Sequence, residues 1–273
     1  MVDDRSPAGT AASAWAAALG EWAIPEEILL AAAPTSPWSH SPEQFARIAQ
    51  EALTSPEVTP ARRRAAEALP DGGTVLDVGV GGGAASLPLA PPASLLVGVD
   101  SHEGMLEAFA AAASARGIAH EVVAGSWPEA ADDVDMADVV VCHNVAYGVA
   151  DLVPFVAALR AKARRRVVIE LTAEHPLAPL NPLWKALHDL DRPAGPTAED
   201  AAAVLVEMGL PVAVERSTRR RAAPADPVAA ARHRLCVGPD RDAEIAALLT
   251  PEIVRPARNM FALWWDTGPA AEG

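Results

Sequence analysis

Val75-Leu76-Asp77-Val78-Gly79-Val80-Gly81-Gly82-Gly83-Ala84-Ala85-Ser86-Leu87 carries an apolar, β-branched strand straight into a glycine turn and then into a helix-like stretch. Glycine lets a backbone turn sharply and lets a ligand approach it closely, and a helix opening there would offer unpaired N–H groups. The expected occupant is nucleotide-like. The glycines do not settle which one, because Gly79-x-Gly81-x-x-Ala84 also satisfies the relaxed dinucleotide fingerprint of NAD- and FAD-binding proteins.

The surrounding pattern sets the fold class. From Gly73 onward, short apolar runs (Thr74–Val78, Leu95–Val99, Glu121–Val123, Ala137–Cys142, Arg166–Leu171) alternate with alanine-rich, helix-like stretches. Continuous apolar strands of this kind belong to a parallel sheet covered on both faces, so an α/β, Rossmann-like, doubly wound sheet is expected. Val212–Arg216 and Met260–Asp266 supply two further strands, separated by helices about 227–235 and 240–249. Residues 1–59 read as an N-terminal helical cap or lid, and residues 60–273 as the α/β core, with a helical insertion about 222–258. Thr197-x-x-Asp200 is an approximate capping box opening a helix to Met208, which Gly209 closes.

Two acids favour a nucleoside that carries an amino acid. Asp77 stands two residues before the first glycine, where a carboxylate suits a ligand ammonium and sits poorly beside a pyrophosphate. Asp100 ends the second strand in Val97-Gly98-Val99-Asp100, where an acid accepts hydrogen bonds from ribose hydroxyls, and Met105-Leu106 follows.

With these residues the chain resembles the class I S-adenosylmethionine-dependent methyltransferases, in particular their small-molecule group. LDVGVGGG is similar to the family's first motif and VGVDSHEGMLEAF to its second, and the resemblance spans roughly residues 60 to 171. It implies a seven-stranded sheet with the last strand antiparallel, S-adenosylmethionine as methyl donor and S-adenosylhomocysteine as product. It also implies that Gly79, Gly81 and Gly83 cradle the methionyl part, with Asp77 near its amine. Asp100 would then hold the ribose, and Ser101, His102 and Met105 would border the adenine. The third motif reads Ala124-Gly125-Ser126-Trp127-Pro128. Ser126 stands where the family often has Asp, so its hydroxyl or the backbone would meet the adenine amine while Trp127 covers the ring.

The fourth motif, Val140-Val141-Cys142-His143-Asn144-Val145-Ala146-Tyr147, ends the strand that in this family faces the transferred methyl. It lacks the Asn/Asp-Pro-Pro-Tyr/Phe signature of adenine and glutamine-amide N-methyltransferases, and Cys142 is expected inside the sheet packing. His143 is the first candidate base, the competing reading being a histidine that only hydrogen-bonds backbone beside the cofactor. His175, after the fifth strand, is the second. Asn144 and Tyr147 are positioning candidates. Trp184 and His188, four apart on one helix face, either frame a substrate pocket or belong to the core and surface. Trp38 and His40 in the Pro-rich stretch before Phe45 fit a lid over the substrate or plain packing. Trp264-Trp265 reads as strand packing, with a homodimer contact left open there.

Net charge is −14, which disfavours nucleic acid and anionic membranes as partners. The runs Arg62–Arg64, Arg164–Arg166 and Arg219–Arg221 read as solvated helix and strand ends. Cys142 and Cys236 lie far apart without metal-ligand spacing, so no metal is expected. The acidic N-terminus and the lack of a spanning apolar stretch point to a cytoplasmic protein. The reading is methyl transfer to an O, N or C nucleophile of a small organic molecule. A non-catalytic S-adenosylmethionine-binding regulator and an NAD(P)-dependent enzyme stand as alternatives.

Overall fold

The computed structural model describes residues 9–31, 42–220 and 223–268. Four helices come first: α1 (Thr10–Gly20), α2 (Glu26–Ala31), α3 (Pro42–Thr54) and α4 (Pro60–Ala68). The alternating core follows as β1 (Thr74–Val78), β2 (Leu95–Asp100), α5 (Glu103–Ser114), β3 (Ala119–Ala124), β4 (Ala137–His143), α6 (Leu152–Lys162) and β5 (Ala163–Thr172). Then come α7 (Asn181–His188), α8 (Ala198–Glu207), β6 (Ala213–Arg220), α9 (Pro227–Leu235), α10 (Asp242–Leu248), α11 (Pro251–Val254) and β7 (Ala257–Asp266).

The strands form one seven-stranded sheet in the order β3-β2-β1-β4-β5-β7-β6, parallel except for β7, which runs antiparallel to both neighbours. The expected doubly wound sheet with an antiparallel last strand is therefore present. Its central strands are apolar on both faces because both faces are covered. Leu76, Val140, Cys142, Phe155 and Leu159 pack on one side, and Val75, Val139, Val141, Val168 and Phe109 on the other. The chain runs outward from β1 through β2 to β3 and then returns to β4. The β1/β4 boundary is thus the switch point, outside whose carboxyl ends ligands bind in open α/β sheets.

The residues ahead of the core go to different places. Trp15 of α1 is fully buried against α6 and α8 and donates its Nε1–H to the Val149 carbonyl. Ile24, just before α2, joins Leu183, Trp184, Leu187, Leu235 and Ile245 in a separate apolar cluster. α3 packs on α5 and the glycine loop. Thr197 and Asp200 form the expected capping box, the Thr197 N–H donating to Asp200 at 2.7 Å, a device worth about 1 kcal/mol.

One expectation needs correction. No α-helix follows the glycine loop: Val80–Ser86 is a succession of turns and only Leu87–Leu89 makes a short 3₁₀ turn. Pro88, Pro91 and Pro92 explain this, since each lacks the N–H that a helix would use and three of them fall within five residues.

Candidate functional site

The glycine loop is built for close approach. Gly79, Gly81 and Gly83 all have positive φ (72°, 51° and 85°), a region in which a side chain is strained. Space closes the argument. A Cβ on Gly81 would lie 2.4 Å from Phe45 Cδ1, and one on Gly82 2.5 Å from the Phe45 carbonyl oxygen, so α3 lies directly against the loop. A Cβ on Gly79 would meet Val145 at 2.4 Å. Loop, α3 and the carboxyl ends of β1, β2, β4 and β5 border one cleft of about 1340 Å³.

Both expected acids reach this cleft. Asp77 is 1% exposed, its Oδ2 accepting the Ser86 hydroxyl at 2.6 Å. Burial pushes its carboxyl up to about 7, with the nearby Asp100 charge adding to the shift and the Ser86 bonds opposing it. Asp100 braces the loop: its Oδ2 accepts the Gly81 N–H at 3.0 Å and its Oδ1 the His102 N–H at 3.0 Å. Ser101, Met105, Gly125, Ser126 and Trp127 line the same cleft. The Trp127 indole is fixed by donating to the Phe155 carbonyl at 3.1 Å.

His143 ends β4 at the cleft wall, and burial lowers its pKa, with Glu170 opposing and Arg219 assisting the shift. The ring is therefore neutral at pH 7. Its Nδ1 lies 3.9 Å from Glu170 Oε1, and its buried Nε2 has no hydrogen-bond partner among the described residues. The same Glu170 oxygen accepts Arg219 Nη2–H at 3.1 Å, so His143, Glu170 and Arg219 share one buried carboxylate. Asn144 follows in the left-handed region (φ 61°), lines the cleft and donates its backbone N–H to the Glu170 carbonyl at 2.7 Å.

Other candidates lie elsewhere. Tyr147 is buried, stacks on Trp15 and donates its hydroxyl to the Thr172 carbonyl at 2.6 Å, so it latches the end of β5 without lining the cleft. His175 stacks on Trp22 with ring centroids 3.7 Å apart, its Nδ1 accepting the Leu177 N–H at 3.3 Å. Burial, with Arg192 and Arg258 nearby, lowers its pKa to about 3. It too is absent from the cleft wall. Trp184 and His188 do share a helix face, but that face is packed: Trp184 is 2% exposed, and His188 Nε2 contacts the Leu235 carbonyl at 2.7 Å. Arg192 lies 5.1 Å from both the Trp22 and Trp184 rings and clamps them together. Trp38 and His40 lie outside the described residues.

Cys142 is buried in the sheet, as expected, and its thiol is pushed up by that burial. Trp265 is core and Trp264 lies under Arg166 and Arg64. Among the described residues no group of three or more His, Cys, Asp or Glu is arranged to hold a metal ion, and no helix is long and apolar enough to cross a membrane.

Sequence reasoning missed Glu170, Arg219, Arg258 and the seat of Phe45. The signal for the first two was alternation: register pairs His143 with Glu170, and period-2 spacing from Glu215 through Ser217 puts Arg219 on the same side of the sheet.

Comparison with known proteins agrees with this geometry. Residues 75–165, from β1 into β5, match a family model described as a methyltransferase domain. An uncharacterized protein of Haemophilus influenzae is 36% identical over 103 residues, and the match covers 37% of this chain but only 38% of that protein's length. Among solved structures, the YcgJ protein of Bacillus subtilis superposes with a TM-score of 0.54 at 15% identity, covering 77% of this chain and 98% of that one. A candidate methyltransferase of Bacillus halodurans gives 0.52 at 15% identity, covering 83% and 100%. At such identities these two structures speak for the fold.

Proposed function

We propose that this chain, whose residues 75–165 match a methyltransferase domain, is a class I S-adenosylmethionine-dependent methyltransferase that transfers a methyl group to a nucleophilic atom of a small organic molecule. The observation that carries the reading is the convergence on one cleft of the positive-φ Gly79 and Gly81, the buried Asp77 carboxyl, the Asp100 carboxylate and the His143 imidazole.

These residues fit the cofactor. The cradle at Gly79 and Gly81 would take its methionyl chain, Asp77 its ammonium, Asp100 its ribose, and Met105, Gly125, Ser126 and Trp127 the adenine side, whereas the expected Gly83 does not line the cleft and its Cβ position faces Phe109 and Leu87 in the core. The turn in place of a helix after Gly83 also favours this ligand over a dinucleotide, whose pyrophosphate uses a helix N-terminus. When bound, the cofactor supplies an electrophilic methyl on a sulfonium. The chain's own work is to orient the acceptor and take its proton. His143 lines the cleft and burial lowers its pKa, so its neutral ring is the group placed to accept that proton. The resulting imidazolium would be stabilised through Nδ1 by Glu170, whose carboxylate Arg219 holds in place.

Incubation with methyl-labelled S-adenosylmethionine and a panel of small O, N and C nucleophiles tests the proposal. Formation of S-adenosylhomocysteine with at least one acceptor is expected. Cofactor binding with no turnover across the panel would make the chain a cofactor-binding regulator instead. With an acceptor in hand, His143→Ala should lower kcat by about 10²- to 10⁴-fold and leave cofactor affinity unchanged. Full turnover in that variant would remove His143 as the base.

A further inference from the structure

We propose that the acceptor substrate is a small-molecule carboxylate, and that its anionic group is held between Arg219 and Arg258 at the β6–β7 end of the cleft. This rests on the methyltransferase reading of the same site. The inference starts from a register that is costly as it stands. Arg219 and Arg258 lie directly opposite each other on antiparallel β6 and β7, where like charges destabilise a sheet, and both line the cleft. Arg219 is compensated by Glu170 at 3.1 Å. Arg258 has no carboxylate within ion-pair distance among the described residues, and its guanidinium only donates to the Pro176 carbonyl at 3.2 Å. Burial, and then the Arg219 charge beside it, lowers the Arg258 pKa, as expected for a cation that lacks its counter-ion.

Among the described residues Glu170 is the only acid on β5, β6 or β7 that lines the cleft; its other acids, Glu51, Glu57, Asp77 and Asp100, belong to α3, the segment after it, β1 and β2. Two opposed arginines sharing a single carboxylate, in a chain with net charge −14, are what an anionic ligand would select. The two opposed arginines and Glu170 together leave one net positive charge, which a monoanionic carboxylate matches and a phosphate dianion exceeds. A guanidinium fork also suits a planar carboxylate.

Position makes the anion useful. Directly paired residues project to one face, so His143, Glu170, Arg219 and Arg258 share the side of the sheet that Asp77 also faces. Along the order β1-β4-β5-β7, the cofactor acid comes first, His143 next and the arginines last. His143 Nδ1 and Arg219 Nη2 lie 3.9 and 3.1 Å from the same Glu170 oxygen, so a carboxylate on the arginines would leave the body of an aromatic or similar acid beside His143.

The test is calorimetric titration of the full chain, first with S-adenosylhomocysteine and then, once loaded, with sodium benzoate, neutral benzamide or inorganic phosphate. Benzoate is expected to bind about tenfold or more tightly than benzamide, and more tightly than phosphate. Arg258→Met should lose that preference and Arg258→Lys keep most of it, with S-adenosylhomocysteine affinity unchanged in both as the check on folding. Equal affinity for benzoate and benzamide, tighter binding of phosphate, or an unaltered preference in Arg258→Met would each overturn the inference. Failure of S-adenosylhomocysteine to bind the unmodified chain would instead overturn the cofactor reading on which it rests.

Discussion

Asp77→Asn should make the protein more stable at pH 8 while weakening its hold on the cofactor. The carboxyl of Asp77 titrates near 7 in the folded chain and near 3.8 when unfolded. The folded state therefore keeps a proton that the unfolded state releases, and stability falls as pH rises through this window and levels off above about 7. A shift of that size corresponds to about 4 kcal/mol at 1.36 kcal/mol per pH unit, with no allowance for solvent because the group is 1% exposed. Asparagine removes the ionisation and can still accept the Ser86 hydroxyl. The unmodified chain's own pH profile is a poor witness, because His175, lowered from 6.5 to about 3, loses stability in the opposite sense as pH falls through that range. The diagnostic quantity is the difference between variant and parent. It should be small at pH 4 and grow to roughly 10 °C in melting temperature by pH 8. Thermal scans at pH 4, 6 and 8, with cofactor titrations alongside, measure it. A difference that does not change with pH would refute the reasoning, as would undiminished cofactor affinity in the variant.

Gly81→Ala should abolish cofactor binding, since its Cβ would meet the Phe45 ring at 2.4 Å in a left-handed backbone, and adding Phe45→Ala should recover part of the binding. If the single variant binds as the parent does, α3 does not lie against the loop in solution. Arg192→Ala should cost about 1–3 kcal/mol in a denaturant melt, because it removes the guanidinium from between Trp22 and Trp184, yet leave the cofactor Kd unchanged. A large loss of affinity there would bring the Trp184 cluster back into the site.

The parts of this molecule that could be read from sequence are those in which local chemistry and fold agree. LDVGVGGG announced its strand and turn because glycine at positive φ has few substitutes, and Asp77 and Asp100 were placed by their distance from that turn. What escaped reading depended on register. Glu170 lies inside an otherwise apolar strand, and only its pairing with His143 gives it a role. Arg219 belongs to an arginine run that resembles any solvated strand end until β7 places Arg258 opposite it. Trp184 and His188 were correctly assigned to one helix face. Which side of that face is packed depends on Ile24, Leu235 and Ile245, far away in sequence. The helix expected after Gly83 failed for a local reason that was visible, the prolines at 88, 91 and 92.

The central claim is that the glycine loop, Asp77 and Asp100 form an S-adenosylmethionine site. Calorimetric titration of the purified chain with S-adenosylhomocysteine, beside NADH and an Asp100→Ala control, tests it most directly. The account predicts saturable binding of S-adenosylhomocysteine, none of NADH, and loss of binding in the variant, where Gly81 and the ribose both lose their acceptor. Binding of NADH but not S-adenosylhomocysteine by the folded chain would contradict it.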